Sequence, residues 1–252
     1  TLKINSILLE GNLNLGDNEI IIDNFSTSIE EDLYEGSAKL DTTNFLAEGF
    51  FTKISRKKIF YNLDLDSRNM KFLVNENEFN IEGDAILGGV DIFLKGKKNY
   101  KDKSKFISKY NVSGKIDENV IEKLVNLKVT PYIKGPVEFN ASYLIFQGNK
   151  EKIKMSNKLK ETELNIPALG ITKYKGTVAT ADIDFNFSNK KLKEIKIINY
   201  KQGNNEINGL VKLSKEFKPF KSLELNLMKD TKKISIKVLR NKDLNNLDHH
   251  HW

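Results

Sequence analysis

The sequence predicts a mainly β protein: antiparallel, meandering strands in a curled sheet (a repeating β-groove) with one short helix near 118–127. Three observations predict it. Apolar and polar residues alternate with period two through most of the chain, the pattern of strands with one buried and one wet face. Turn signals follow closely on one another, at Gly16-Asp17, Gly88-Gly89, Gly148-Asn149, Ser188-Asn189 and Gly203-Asn204. Strands joined this tightly are antiparallel, because a parallel crossover takes a dozen or more residues. Only one segment carries a convincing helical stripe. The 252 residues suffice for one large β domain or two smaller ones.

In chain order, Leu8–Leu15 has the look of a strand entry, and Ile59/Tyr61/Leu63/Leu65, Phe79/Ile81, Val90/Ile92/Leu94 and Tyr110/Val112 alternate. Between the last two lies a lysine-rich stretch, Lys95–Lys109, with Asp102 its only acid. It reads as a linker or a long hairpin, and as a solvated tip or a patch for an anionic surface. It divides an N-terminal β-repeat region, 1–95, from a region 110–240, with 96–109 between them and a tail at 241–252. Asp117 then serves as N-cap, Glu118 suits the first turn, and Val120, Ile121, Leu124 and Val125 form an apolar stripe. Pro131 keeps that helix from running on. Val137/Phe139/Ala141/Tyr143 form a long alternating strand, and Leu159–Leu164 admits a loose helical turn. Ile183/Phe185/Phe187, Val211/Leu213, Leu223/Leu225/Leu227 and Ile234/Ile236/Val238 alternate again. Asn77-Glu78-Phe79-Asn80, with Gly83 beyond, echoes Asn205-Glu206-Ile207-Asn208-Gly209. This is either a repeat or a coincidence in an asparagine-rich chain.

The composition excludes much chemistry. There is no cysteine, hence no thiolate catalysis, disulfide or cysteine metal site. The three histidines are His249, His250 and His251, at the extreme C-terminus, so the body has none for acid–base work or metal ligation. Net charge is +7 and the excess is lysine, with arginine only at Arg56, Arg68 and Arg240. Base-reading proteins favour arginine, and no stacking platform surrounds Tyr100, Phe106 and Tyr110; no nucleic-acid partner is expected. No stretch approaches the ~20 apolar residues of a membrane span. The start at Thr1 suggests a fragment or a processed product. Asp64/Asp66 and Asp182/Asp184 are carboxylate pairs that could hold a cation or flank a glycosidic bond, but on a wet face they read as solvated alternation partners. Gly88-Gly89 lacks the helix that a phosphate-cradling loop requires. No catalytic residues, metal site or cofactor are expected, and the chain is read as no enzyme. What remains is the apolar face, which a second sheet, barrel closure or a ligand must cover.

Leu164-Asn-Ile166-Pro167-Ala168-Leu169-Gly170, followed by Lys173 and Gly176, resembles a signature of the AsmA-like superfamily, in the branch of large YhdP-type envelope proteins. Lys134-Gly135-Pro136-Val137 with its long strand, and the upstream order of strand, Gly114, short helix and strand, are similar too. The resemblance runs from about Phe106 to Met228. Ile171 stands where the family commonly has an aromatic, Tyr174 where a proline often follows the lysine, and the family's N-terminal membrane anchor is missing.

The resemblance implies a periplasmic protein, associated with the inner membrane in its full-length form, that helps phospholipid pass between inner and outer membranes. Its partners would be phospholipid acyl chains and the two membrane surfaces. The lipid-facing candidates are Phe139, Ala141, Tyr143, Ile183, Phe185, Phe187, Leu223, Leu225 and Leu227, grouped strand by strand through alternation. The alternative is a structural or adhesive β protein with a closed core and a protein partner.

Overall fold

A computed structural model of the chain describes residues 8–29, 32–60, 63–101, 105–125, 128–167, 170–213, 220–229 and 232–239. Tyr61, Leu169, positions 126–127 and the 241–252 tail with its histidines lie outside them. The strands before the helix are β1 (Leu8–Leu15), β2 (Glu19–Ile29), β3 (Asp32–Asp41), β4 (Leu46–Phe60), β5 (Leu63–Val74), β6 (Glu78–Leu87), β7 (Val90–Asn99) and β8 (Ser108–Ile116). Helix α1 (Glu118–Val125) and β9 (Ile133–Lys134) lead to β10 (Val137–Phe146) and β11 (Lys150–Lys158). Two short strands, β12 (Glu163–Ile166) and β13 (Ile171–Lys173), precede β14 (Thr180–Ser188), β15 (Lys191–Gln202), β16 (Asn205–Leu213), β17 (Phe220–Lys229) and β18 (Lys232–Leu239).

Fifteen of these strands form one sheet in chain order, β1 to β8, then β10, β11 and β14 to β18, every neighbouring pair antiparallel. It is an open meander whose edges, among the described residues, are β1 and β18. A separate sheet of three strands, β13-β12-β9, is formed by the segments inserted between β8 and β10 and between β11 and β14.

Residues paired across strands share a face, so the registers trace rows across the sheet. One row runs Phe25, Gly36, Phe51, Met70, Gly83, Leu94, Val112, Ala141, Met155, Ile183, Ile197, Gly209, Leu225 and Ile236. Every strand of the sheet except β1 contributes an apolar residue or glycine to it. At about 4.8 Å per strand the row is roughly 60 Å long. One step along each strand the matching row on the other face is mostly polar, running Lys71, Glu82, Lys95, Asn111, Ser142, Lys154, Asp184 and Lys196 between Phe50 and Leu210.

The sheet curls toward its apolar face. Arg56 on β4 and Tyr110 on β8 share that face and are close enough to interact electrostatically. On a flat sheet four strand spacings alone would separate them by roughly 19 Å. Strand glycines accommodate the curl: Gly36, Gly49, Gly83, Gly96, Gly114 and Gly209 all lie on the apolar face. Register shifts in β2, β4, β5, β14 and β15 add local twist.

Two apolar clusters result. The first joins Ile54, Leu65, Met70, Ala85, Val90, Ile92, Leu94 and Phe139. The second joins Val137, Ala181, Tyr200 and Ile207 of the large sheet to Leu159, Leu164 and Ala179 of the inserted segments.

Helix α1 begins as its sequence dictates. The Asp117 carboxylate accepts from the Val120 amide at 3.0 Å, and the Asp117 carbonyl accepts from Ile121. Of the lysine-rich 96–109 stretch, the described residues include the end of β7 and the start of β8; Lys97 pairs with Lys109, while Lys97 and Lys101 meet Glu78 and Glu76 respectively. Leu159–Leu164 makes one turn, closed by the Thr162 amide on the Leu159 carbonyl, and continues as strand β12 rather than helix.

Candidate functional site

The candidate site is the apolar face. Phe139, Ala141 and Tyr143 lie on it, as do Ile183, Phe185, Phe187, Leu223, Leu225 and Leu227. The register ties the three groups together: Ala141 faces Met155, which faces Ile183, and Phe185 continues through Ile195 and Val211 to Leu223. Phe139, Phe187 and Leu225 are buried, and the other six are half-buried. Sequence reading left Met70, Met155, Tyr200 and Ile207 out of this face. The glycines placed in phase with the apolar positions were the signal that could have found it.

The face differs along each strand. At one end the second cluster lies beneath α1 and the small sheet: Ile121, Ile133 and Ile171 pack against it with Leu164. Burial there pushes the Tyr200 phenol up to about 12, and its hydroxyl donates to Gln202 Oε1 at 2.7 Å. At the other end Phe185, Ile195, Val211 and Leu223 stand in one register row and stay half-buried. The edge strand β18 leaves Ile234 53% exposed on this face.

Among the described residues one ion pair shares the apolar face. Arg56 Nε donates to Asp32 Oδ2 at 2.8 Å, Tyr34 OH donates to the same oxygen at 3.3 Å, and the Lys57 amide donates to Oδ1. Burial raises the Asp32 carboxyl, but these donors and the Arg56 charge outweigh it and hold the group below its ordinary value. Pairs on the outer face, such as Lys95–Glu82, Lys152–Asp184 and Lys158–Glu138, are cross-strand surface contacts worth little each.

The signature residues take local structural places. Pro167 and Gly170 close a turn, the Gly170 amide donating to the Pro167 carbonyl, and Gly170 and Gly176 both have positive φ. Lys173 is 1% exposed, and its ammonium donates to the carbonyls of Thr162 (2.5 Å), Tyr174 (3.2 Å) and Lys160 (3.4 Å). Burial lowers its pKa, against the opposing pull of Glu161 and Glu163.

The carboxylate pairs engage their neighbours. Asp64 meets Lys57 and the Lys58 amide, Asp66 accepts from Ser55, Asp182 from Ser156, and Asp184 pairs with Lys152. Among the described residues no group of three or more histidine, aspartate or glutamate side chains is placed to hold a metal. Among them, too, no helix is long and apolar enough to cross a membrane.

Comparison with protein-family models, curated proteins and solved structures finds no match to this chain.

Proposed function

We propose that this chain is a lipid-binding, lipid-conducting module, an AsmA-like β-groove of the YhdP type, whose apolar face takes phospholipid acyl chains. The observation that carries the proposal is the apolar row from Phe25 to Ile236 on an open, curled sheet. Each methylene taken from water onto such a face contributes ~0.8 kcal/mol, so a chain can shift across its half-buried part, along Phe185, Ile195, Val211 and Leu223, while the headgroup stays in water. The face offers attraction without direction, and a gradient or partner must supply that. In this proposal the module works in the periplasm, associated with the inner membrane in the full-length protein, between two membrane surfaces.

A second function is favoured by one observation. Met70 is 0% exposed and Ile54 3%, so the stretch between β4 and β8 is sealed by its own side chains. A module sealed throughout would be a structural β protein with a protein partner. Native mass spectrometry of the purified chain after lipid extraction and re-addition of phosphatidylglycerol vesicles separates the two. Bound phospholipid supports the groove; a bare chain under both conditions supports the sealed core.

A further inference from the structure

We infer that Lys173 pins a flap over one lip of the apolar face and thereby confines acyl chains to the other lip, which makes it a positioning residue for ligand placement. The inference rests on the lipid-binding function proposed above.

The flap is α1 with the small sheet β13-β12-β9. Its side chains Ile121, Ile133, Leu164 and Ile171 pack into one cluster with Ala181, Tyr200 and Ile207 of the large sheet. Ala181, Tyr200, Ile207 and Leu227 are one register row, so the flap lies along that row. The parallel row Phe185, Ile195, Val211 and Leu223 is the half-buried one. Two apolar tracks thus run parallel, one under protein and one open, with the row Ile183, Ile197, Gly209 and Leu225 between them.

The flap's own closure converges on one cation. The carbonyls that receive the Lys173 ammonium belong to the segment entering β12 (Lys160, Thr162) and to the residue leaving β13 (Tyr174). Thr162 is 0% exposed and its hydroxyl donates to the Pro136 carbonyl at 2.7 Å, which carries the tie to the residue before β10. The Gly176 amide donates to the Lys160 carbonyl at 2.7 Å. Among the described residues the hydrogen bonds of this ammonium all go to carbonyl oxygens, and the Glu161 and Glu163 charges act on it without a direct bond. Replacing it with an apolar side chain orphans those carbonyls and frees the segments they join.

The test uses the full chain, as wild type and Lys173→Met, with phosphatidylglycerol vesicles carrying a photoreactive acyl chain, and maps crosslinked peptides by mass spectrometry. In the wild type, crosslinks are expected on the Phe185 and Leu223 peptides and not on the Ile207 peptide. In Lys173→Met the Ile207 peptide gains crosslinks, and amide exchange in α1, β12 and β13 rises by roughly tenfold while β7 and β8 keep their protection. The Tyr200 phenolate titration, assigned by difference from Tyr200→Phe, moves down toward an ordinary tyrosine. Crosslinks at Ile207 in the wild type, or unchanged flap exchange in Lys173→Met, overturn the pin. If neither protein crosslinks anywhere, the lipid function fails, while exchange and the Tyr200 titration still decide the flap. If Lys173→Met does not fold, Leu164→Ala removes an apolar anchor and leaves the ammonium; it must add Ile207 crosslinks, and an unchanged map overturns the inference.

Discussion

Gly83 on β6 lies so close to Asn69 on β5 that a Cβ at Gly83 would stand 2.2 Å from the Asn69 carbonyl oxygen. The obstacle is backbone, which has little room to retreat in a packed sheet. Gly83→Ala is therefore expected to destabilise by about 1–3 kcal/mol, as overpacked sites do. Gly96→Ala meets only the side chains of Ile81 and Tyr110, and is expected to cost less. Urea midpoints of the two variants check the order; equal midpoints would contradict the close approach at Gly83.

The faces of this fold were legible because period-two alternation is local. Phe139/Ala141/Tyr143, Ile183/Phe185/Phe187 and Leu223/Leu225/Leu227 each group from sequence alone. That the three groups meet on one face was not legible, since it depends on registers set by turns and bulges many residues apart. Strand β4 was read only at its end, at Ile59. Its register to β3 shifts between Gly36–Phe51 and Glu35–Lys53, and such irregularity breaks the simple pattern. The small sheet was hidden for another reason. Its strands are short, and β13 is Ile171–Lys173, too short for any period to register. Lys173 entered as part of a signature, and the three carbonyls that its ammonium meets are not legible in the sequence.

The Asp117 cap makes a second prediction. Its carboxylate satisfies the Val120 amide, one of the helix's orphan donors. Asp117→Ala should lower stability by about 1 kcal/mol, and Asp117→Ser should restore most of it. Thermal unfolding of the pair tests this. A silent alanine variant would mean that α1 draws its stability from packing of Val120 and Ile121 alone.

Acid sensitivity follows from Asp32. Its folded pKa is depressed, because the Arg56 and Lys57 donors outweigh desolvation. The sign is that of a carboxylate favoured in its charged form. Its contribution is present above the ordinary value of 3.8 and is lost as pH falls through the lower folded value. Asp32→Asn should be less stable than wild type near neutrality and lose less on acidification below about pH 4. Denaturant midpoints across that range measure it; parallel curves would show that Asp32 takes no part in the acid limb.

Alkaline behaviour should carry the opposite limb. Tyr200 has its folded value raised from 10.0 to about 12 by burial. The folded state therefore favours the neutral phenol. Its contribution is full below about pH 10 and is lost as pH rises toward about 12. Lys173, lowered by burial, acts the other way, since its folded state releases a proton before the unfolded chain does. Tyr200→Phe should remove the tyrosine part of the loss, so variant and wild type diverge most above pH 10. Unchanged midpoint differences across that range would place Tyr200 in contact with water.

A pair of charge insertions separates groove from sealed core. Met70 and Phe185 share the apolar face, but Met70 is 0% exposed beneath neighbouring side chains while Phe185 is half-buried in the open row. A carboxylate at position 70 has no exit and no partner, and burying it uncompensated costs several kcal/mol. Met70→Glu should abolish cooperative folding or lower the melting temperature severely. A carboxylate at position 185 can swing toward water, so Phe185→Glu should stay folded with a modest loss. It would still set a charge across the track that links Ile195, Val211 and Leu223, and a hydrocarbon chain gains nothing from a contact that must first be desolvated. Lipid transfer between vesicles or acyl photocrosslinking should therefore fall in Phe185→Glu at nearly native melting temperature. If Phe185→Glu unfolds as Met70→Glu does, and the wild type never crosslinks lipid, the apolar face is a closed core throughout and the groove proposal is wrong.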